Sequence, residues 1–299
     1  MAAAPDVGRM PLWKAGLAAG AALLIGAIVA LALHRAEPPA RCAPGMVALG
    51  PRCCGEGQRL DDAGRCAGAP RRCSAGLTVT AAGCVAPGAA VRITSGTLRL
   101  GPSDWEAQGI VDPRAVFVPA FSLDAFEITE QRYAACVEAG ACAPLPLRGE
   151  PGVPVTGVTL AESARYCAFA GGALPSRDQL AFAAAGDAGR RYPWGDTGAV
   201  CRRAAFGLRA GPCGWGATGP ELAGSRPDGA AVHAGGRVFD LAGNVAEWAA
   251  PDPLEGELSG THGGSWTDGA AAALRTWNRR LVPGSTRAPD LGFRCVYPP

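Results

Sequence analysis

Hydrophobic positions change their period several times along this chain. Ala15 to Leu33 is an unbroken run of nineteen uncharged residues, set between Lys14 and His34-Arg35. At about 1.5 Å rise per residue, such a run spans most of a bilayer core of roughly 30 Å. Residues 1–10 then read as a cytoplasmic tail, 11–33 as a transmembrane signal anchor and 34–41, with Pro38 and Pro39, as a linker. Ala30-Leu31-Ala32 resembles a signal-peptidase site, so secretion after cleavage is the competing reading. Farther on, Val91-Arg92-Ile93, Thr97 to Leu100 and Ala115 to Val118 alternate as short strands do. Three helices are announced by their caps: Thr129 ahead of Glu130, a capping box of Thr159 with Glu162, and another of Ser176 with Gln179. On the second helix Ala164, Cys167 and Ala168 share one face; on the third, Leu180, Ala183 and Ala184 do. Beyond Gly189 apolar residues come as short fragments between Gly and Pro, which predicts mostly loop.

Composition refines that picture. The 43 Gly and 26 Pro imply many turns and much irregular backbone; together with the short strands and capped helices, the expected class is α+β with much irregular structure. A formal charge of +2 supplies neither a basic stripe nor an acidic tail, so nucleic acid is not an expected partner. Twelve cysteines fall as six between Cys42 and Cys84 and six between Cys136 and Cys295, with no C-x-x-C among them. Without zinc-site spacing, a dense even set reads as disulfides, which persist in an oxidising compartment. Charges flanking the apolar run do not orient it, since Arg9 and Lys14 are matched by Arg35 and Arg41. The cysteines do: the C-terminal side belongs outside the cytoplasm, in a periplasm or at a cell surface.

Residues 42–85 carry an internal repeat. Cys42-x-x-Gly45 runs to Cys53, Cys54-x-x-Gly57 to Cys66, and Cys73-x-x-Gly76 to Cys84. Pairing first to last within each repeat is the simplest of the many connectivities that six cysteines allow. A segment this poor in apolar surface needs such staples to fold. It reads as a rigid stalk under a main domain of residues 86–299, with a ligand-binding module as the other reading.

Seven motifs then follow in order: Phe126-Glu127-Ile128-Thr129, Pro154 to Val158, Ala173-Leu174-Pro175-Ser176, Tyr192 to Asp196, Phe239 to Trp248, Gly263-Gly264-Ser265-Trp266, and Gly292-Phe293-Arg294-Cys295. This series resembles the formylglycine-generating enzyme (sulfatase-modifying factor) family over roughly Val91 to Tyr297. The resemblance implies a C-type-lectin-like variant fold, preceded here by a transmembrane helix and a disulfide-rich segment. It also implies a staple between Cys167 and Cys295. With that pair set, Cys136 with Cys142 and Cys201 with Cys213 remain as the natural local pairs.

Family enzymes bind copper through two cysteines just after the Gly-Gly-Ser segment, because thiolates suit Cu(I). Here those positions are Asp268 and Ala273, a hard carboxylate and a side chain without a donor. Ser265 matches the family's active-site serine. Copper is therefore not expected. A related branch holds iron through three histidines; here His34 sits at the membrane edge, and His233 and His262 read as loop residues, so iron is not expected either. Gly-x-Ser-x-Gly, the serine-hydrolase elbow, does not occur. The resemblance does imply one calcium ion, held by the Asp240 and Glu247 carboxylates and the Gly243 and Val245 carbonyls. The alternative is that both carboxylates cap turns or pair with arginines. A second family calcium site, between Val200 and Gly224, has Cys201-Arg202-Arg203 in place of its donors. The expected function is a non-catalytic, membrane-anchored module that binds an extracytoplasmic protein, peptide or glycan. The alternative is a formylglycine-generating oxidase acting on a sulfatase cysteine, or another oxidation on the same fold. Trp266 and Trp277 flank the degenerate site; they could line a groove or equally belong to the core.

Overall fold

The computed structural model describes residue 42 and residues 44–299, apart from 51, 63, 75, 76, 82, 86, 87, 102–110, 112, 254 and 255. The predicted tail, anchor and linker lie outside these residues. Among those described, no helix is long and apolar enough to cross a membrane.

Each cysteine repeat folds as a two-stranded hairpin: β1 (Met46–Leu49) with β2 (Arg52–Gly55), β3 (Arg59–Leu60) with β4 (Cys66–Ala67), and β5 (Thr78–Thr80) with β6 (Gly83–Val85). Gly45 and Gly57 turn the chain at φ +92° and +96°, which is why the repeat carries Gly there. A Cβ on Gly45 would also strike the Cys73 carbonyl at 2.3 Å. The disulfides are Cys42–Cys53, Cys54–Cys66 and Cys73–Cys84, first to last within each repeat. The hairpins do not project as a stalk. Arg52 grips Glu150 through two hydrogen bonds of 2.6 and 3.3 Å, Leu77 packs on the main core, and Gly152 closes against the Cys84 carbonyl so tightly that a Cβ would lie 2.5 Å from it.

In the main domain β7 (Ala90–Ile93), β10 (Phe121–Asp124) and β17 (Val296–Tyr297) form one antiparallel sheet, in the order β17-β10-β7. β8 (Gly96–Leu100) pairs with β9 (Arg114–Val118), and β11 (Ala231–His233) with β12 (Gly236–Val238). A second sheet runs β15-β14-β13-β16, from Arg279–Pro283, Leu258–His262, Ala246–Trp248 and Leu291–Gly292 respectively; its β13–β16 pair is parallel. The region beyond Gly189 is thus richer in strands than its fragmented pattern predicts, although each strand is short.

The three capped helices form where expected: α1 (Glu130–Glu138), α2 (Leu160–Phe169) and α3 (Arg177–Ala185). Both capping boxes close, with Thr159 N–H donating to Glu162 at 2.9 Å and Ser176 N–H to Gln179 at 2.9 Å. On α2 the buried residues are Ser163, Tyr166 and Cys167, while Ala164 and Ala168 are exposed. Tyr166 sets that rotation, its ring wedged between Tyr133 (5.8 Å) and Phe293 (5.4 Å). On α3 every residue from Leu180 to Ala185 is buried, because β8, β9 and β14 all pack against it. Cys167–Cys295 ties α2 to the last strand, and Cys136–Cys142 and Cys201–Cys213 close local loops, so all three expected bridges of this domain are present.

Candidate functional site

The loop after β14 turns on two glycines, Gly263 at φ +88° and Gly264 at φ +66°. A Cβ on Gly264 would lie 2.9 Å from the Ala273 carbonyl, so this close approach requires glycine. The turn folds Ser265 inward, fully buried, and brings Asp268 and Ala273 to one small cavity of about 50 Å³ beside Thr261, Asn278, Arg279 and Arg280. The two positions singled out in the sequence therefore converge.

Their side chains are committed to the loop itself. Asp268 Oδ2 accepts the Ser265 N–H at 2.7 Å and lies 2.8 Å from Ser265 Oγ. Ser265 Oγ is also 2.9 Å from Thr267 Oγ1 and 3.2 Å from Asp290 Oδ2. One hydroxyl proton cannot serve both carboxylates at once, so the Thr267 hydroxyl, 3.0 Å from Asp290, completes the set. Ser265 here organises a turn between two acids. Trp266 is fully buried in the core, with its indole N–H on the Pro289 carbonyl at 3.2 Å, so it lines no groove. Trp277 does line one.

Residues 78–298 match the sulfatase-modifying factor enzyme 1-like domain. The chain belongs to that family. The match begins inside the third hairpin, ahead of the boundary expected at residue 86. Comparison with curated proteins finds no match. Among solved structures, the chain is similar to PvdO from Pseudomonas aeruginosa, with TM-score 0.53 and 18% identity over 71% of this chain and 99% of that one. It is also similar to Treponema denticola variable protein 1, with TM-score 0.52 and 18% identity over 70% and 95%. At such identity these likenesses establish the fold alone.

Copper does not fit the residues at the family's metal position. Ala273 has no donor, Asp268 is a hard oxygen ligand already bonded to Ser265, and all twelve cysteines are paired in disulfides.

The expected calcium segment is an ordered, unusual loop. Asp240 and Asn244 both adopt positive φ, +54° and +60°. Asp240 accepts the Gly224 N–H. Glu247 is not available as an ion ligand: Arg294 takes both its oxygens, at 2.7 and 2.6 Å, with both groups buried. The same guanidinium donates to the Phe239 and Asp124 carbonyls, which fixes it in place. The Gly243 and Val245 segment is held by Gly243 N–H on the Gly263 carbonyl and Val245 N–H on Glu127, at 2.9 and 3.1 Å. Among the described residues no three His, Cys, Asp or Glu side chains group as a metal would need. The Asp240–Glu247 donor set as arranged does not fit calcium; Glu247 makes the arginine pairing foreseen as the alternative.

Sequence reasoning passed over Glu127, quoted only as part of a motif. It is fully buried and accepts from Asn244 Nδ2 at 2.7 Å. Burial, then Asp240 and Glu247, raise its pKa well above the carboxylate range. An acid inside the apolar Phe126-Glu-Ile128 sequence was the available signal. The histidines also differ from expectation: both end strands, His233 on β11 and His262 on β14. His233 Nε2 lies 2.9 Å from the Ala183 carbonyl.

Proposed function

We propose that this chain is a non-catalytic, extracytoplasmic binding member of the family, held at the membrane by its N-terminal apolar segment. The observation that carries the reading is the state of the sulfur: every one of the twelve cysteines is in a disulfide, and the metal positions hold Asp268 and Ala273. No thiolate remains to bind Cu(I) and carry the family's oxidation. Six disulfides also suit an oxidising compartment. The lectin-like architecture, a buried frame carrying a loop-lined cavity, suits ligand binding.

The test is direct. Purified protein with added copper and oxygen is incubated with a sulfatase-type Cys-x-Pro-x-Arg peptide, and the peptide mass is followed. No conversion of thiol to aldehyde above a metal-only control is expected. Turnover by the unmutated chain would establish the oxidase reading instead.

A further inference from the structure

An open groove of about 460 Å³ lies where the chain leaving α3, the loop that begins at Cys201 and the β11–β12 hairpin come together. That falls within the size of small-ligand sites, about 300–1,000 Å³. It shares no lining residue with the Asp268–Ala273 cavity. Four arginines line it: Arg190 beyond the end of α3, Arg202 and Arg203 next to Cys201, and Arg237 on β12.

Three of the four are held in place without a carboxylate. Arg190 donates to the Ala184 carbonyl at 3.3 Å. Its Nε is enclosed, so this residue brings charge to the groove more than donors. Arg203 donates to the Thr197 hydroxyl and stands 6.0 Å from the centre of the Trp194 ring, which is itself stacked on Tyr192 at 5.0 Å. Arg237 donates to the Pro227 carbonyl and lies 5.3 Å from the centre of the Phe239 ring. Such contacts fix a planar guanidinium while each hydrogen bond occupies one of its five N–H groups. Elsewhere in the domain arginines face acids directly: Arg294 takes both oxygens of Glu247, and Arg226 both of Glu221. Here the acids fall short. Arg202 makes the one ion pair of the four, with Asp228 at 3.6 Å, and both side chains are more than half exposed. Asp196 attracts Arg190, but burial lowers the arginine's pKa more than that attraction raises it. Among the described residues, four guanidiniums thus meet two carboxylates.

That surplus suits a dianion. A phosphate monoester carries about two negative charges above pH 7 and three strong acceptor oxygens, enough for N–H groups arriving from separate elements. A sulfate ester or a phosphodiester carries a single charge. The groove is wider than a phosphate alone requires, and Pro193 and Val232, the latter 66% exposed on β11, offer apolar wall to whatever bears the group.

We propose that this groove binds the terminal phosphate of a soluble phosphate monoester, with Arg202, Arg203 and Arg237 on its oxygens, Arg190 adding charge, and the organic part of the ester against Val232. The proposal gives the binding-module reading a ligand class and rests on it, through residues other than Asp268 and Ala273.

The experiment is calorimetric titration of the full-length protein in detergent, at low ionic strength and alkaline pH, with phenyl phosphate, phenyl sulfate and methyl phenyl phosphate. All three share an aryl group and a tetrahedral centre, but the first alone is a dianion; the last stands for the diester of a lipid headgroup. Phenyl phosphate should bind about tenfold tighter or better than either, as additional charge-assisted bonds require, and added salt should weaken it. Acidification through the ester's second pKa, about 6, should remove most of that advantage while leaving phenyl sulfate unchanged. Arg202→Gln and Arg237→Gln, both at exposed positions, should each weaken phenyl phosphate severalfold with the melting temperature unchanged. Equal binding of the three anions, a diester as tight as the monoester, no binding of phenyl phosphate, or an affinity that neither arginine variant moves would each overturn the proposal. Peptide oxidation in the copper assay would instead sink the non-catalytic reading, so the two failures are distinguishable.

Discussion

Glu127, Asp240 and Glu247 place three buried carboxylates near one guanidinium, Arg294, which is bonded to Glu247 alone of the three. Glu127 and Asp240 accept hydrogen bonds only from amides, so burial dominates both. Asp240 is pushed from an ordinary 3.8 up to about 6. A carboxyl whose folded pKa is raised contributes stability below its unfolded pKa and loses it as pH rises through the folded one. Asp240→Asn keeps an acceptor for Gly224 and removes that loss. The variant should therefore melt higher than the unmutated protein near pH 8 and show no such gain near pH 4. By linkage the effect is on the order of 3 kcal/mol. Chelator should leave the melting curve unchanged, because Glu247 is held by Arg294. A calcium-specific rise in melting temperature that Asp240→Asn abolishes would restore the ion as the missing charge.

At the scale of elements, the link between α2 and the end of the chain is the longest closure in the fold. Cys167–Cys295 spans 128 residues, whereas Cys201–Cys213 spans 12. Cross-links that close longer loops remove more unfolded-chain entropy, about 4–5 kcal/mol for the first and about 3 for the second in that account. Calorimetry of the double variants Cys167→Ala/Cys295→Ala and Cys201→Ala/Cys213→Ala should show the larger drop for the former. Equal drops would mean that α2 is held by the packing of Tyr166 rather than by the bridge. The caps act at the same scale: each satisfies a helix-end N–H that would otherwise lack a partner, worth about 0.5–2 kcal/mol.

Over the whole molecule, the cysteine-rich hairpins and the family domain are sealed together by Arg52–Glu150, Leu77 and the close approach at Gly152. The family domain is thus presented with the hairpins already docked. The compartment is tested on the intact protein in its own cells, with thiols blocked at lysis before any oxidation occurs. Non-reduced peptide mapping should return the six bridges and no blocked cysteine. Blocked thiols at Cys42 to Cys84 would place the chain in a reducing compartment and refute the extracytoplasmic assignment.

Several features were written locally enough to be legible before folding. Helix caps join residues three apart, the repeat glycines answer a φ that other residues resist, and alternation marks β7, β8 and β9. The cysteine repeats and the ordered motifs foretold the bridges and the family. What only the tertiary structure decided are the features joining distant segments. Small alanines permit either rotation of α2, and the buried face was chosen by Tyr166 meeting Tyr133 and Phe293. Glu247 could have faced an ion or a guanidinium until Arg294 arrived beside it from the far end of the chain. His262, Arg114, Arg177 and Arg279 carry no common motif. They meet because α3, β9, β14 and β15 converge on one groove, a juxtaposition that no sequence window contains.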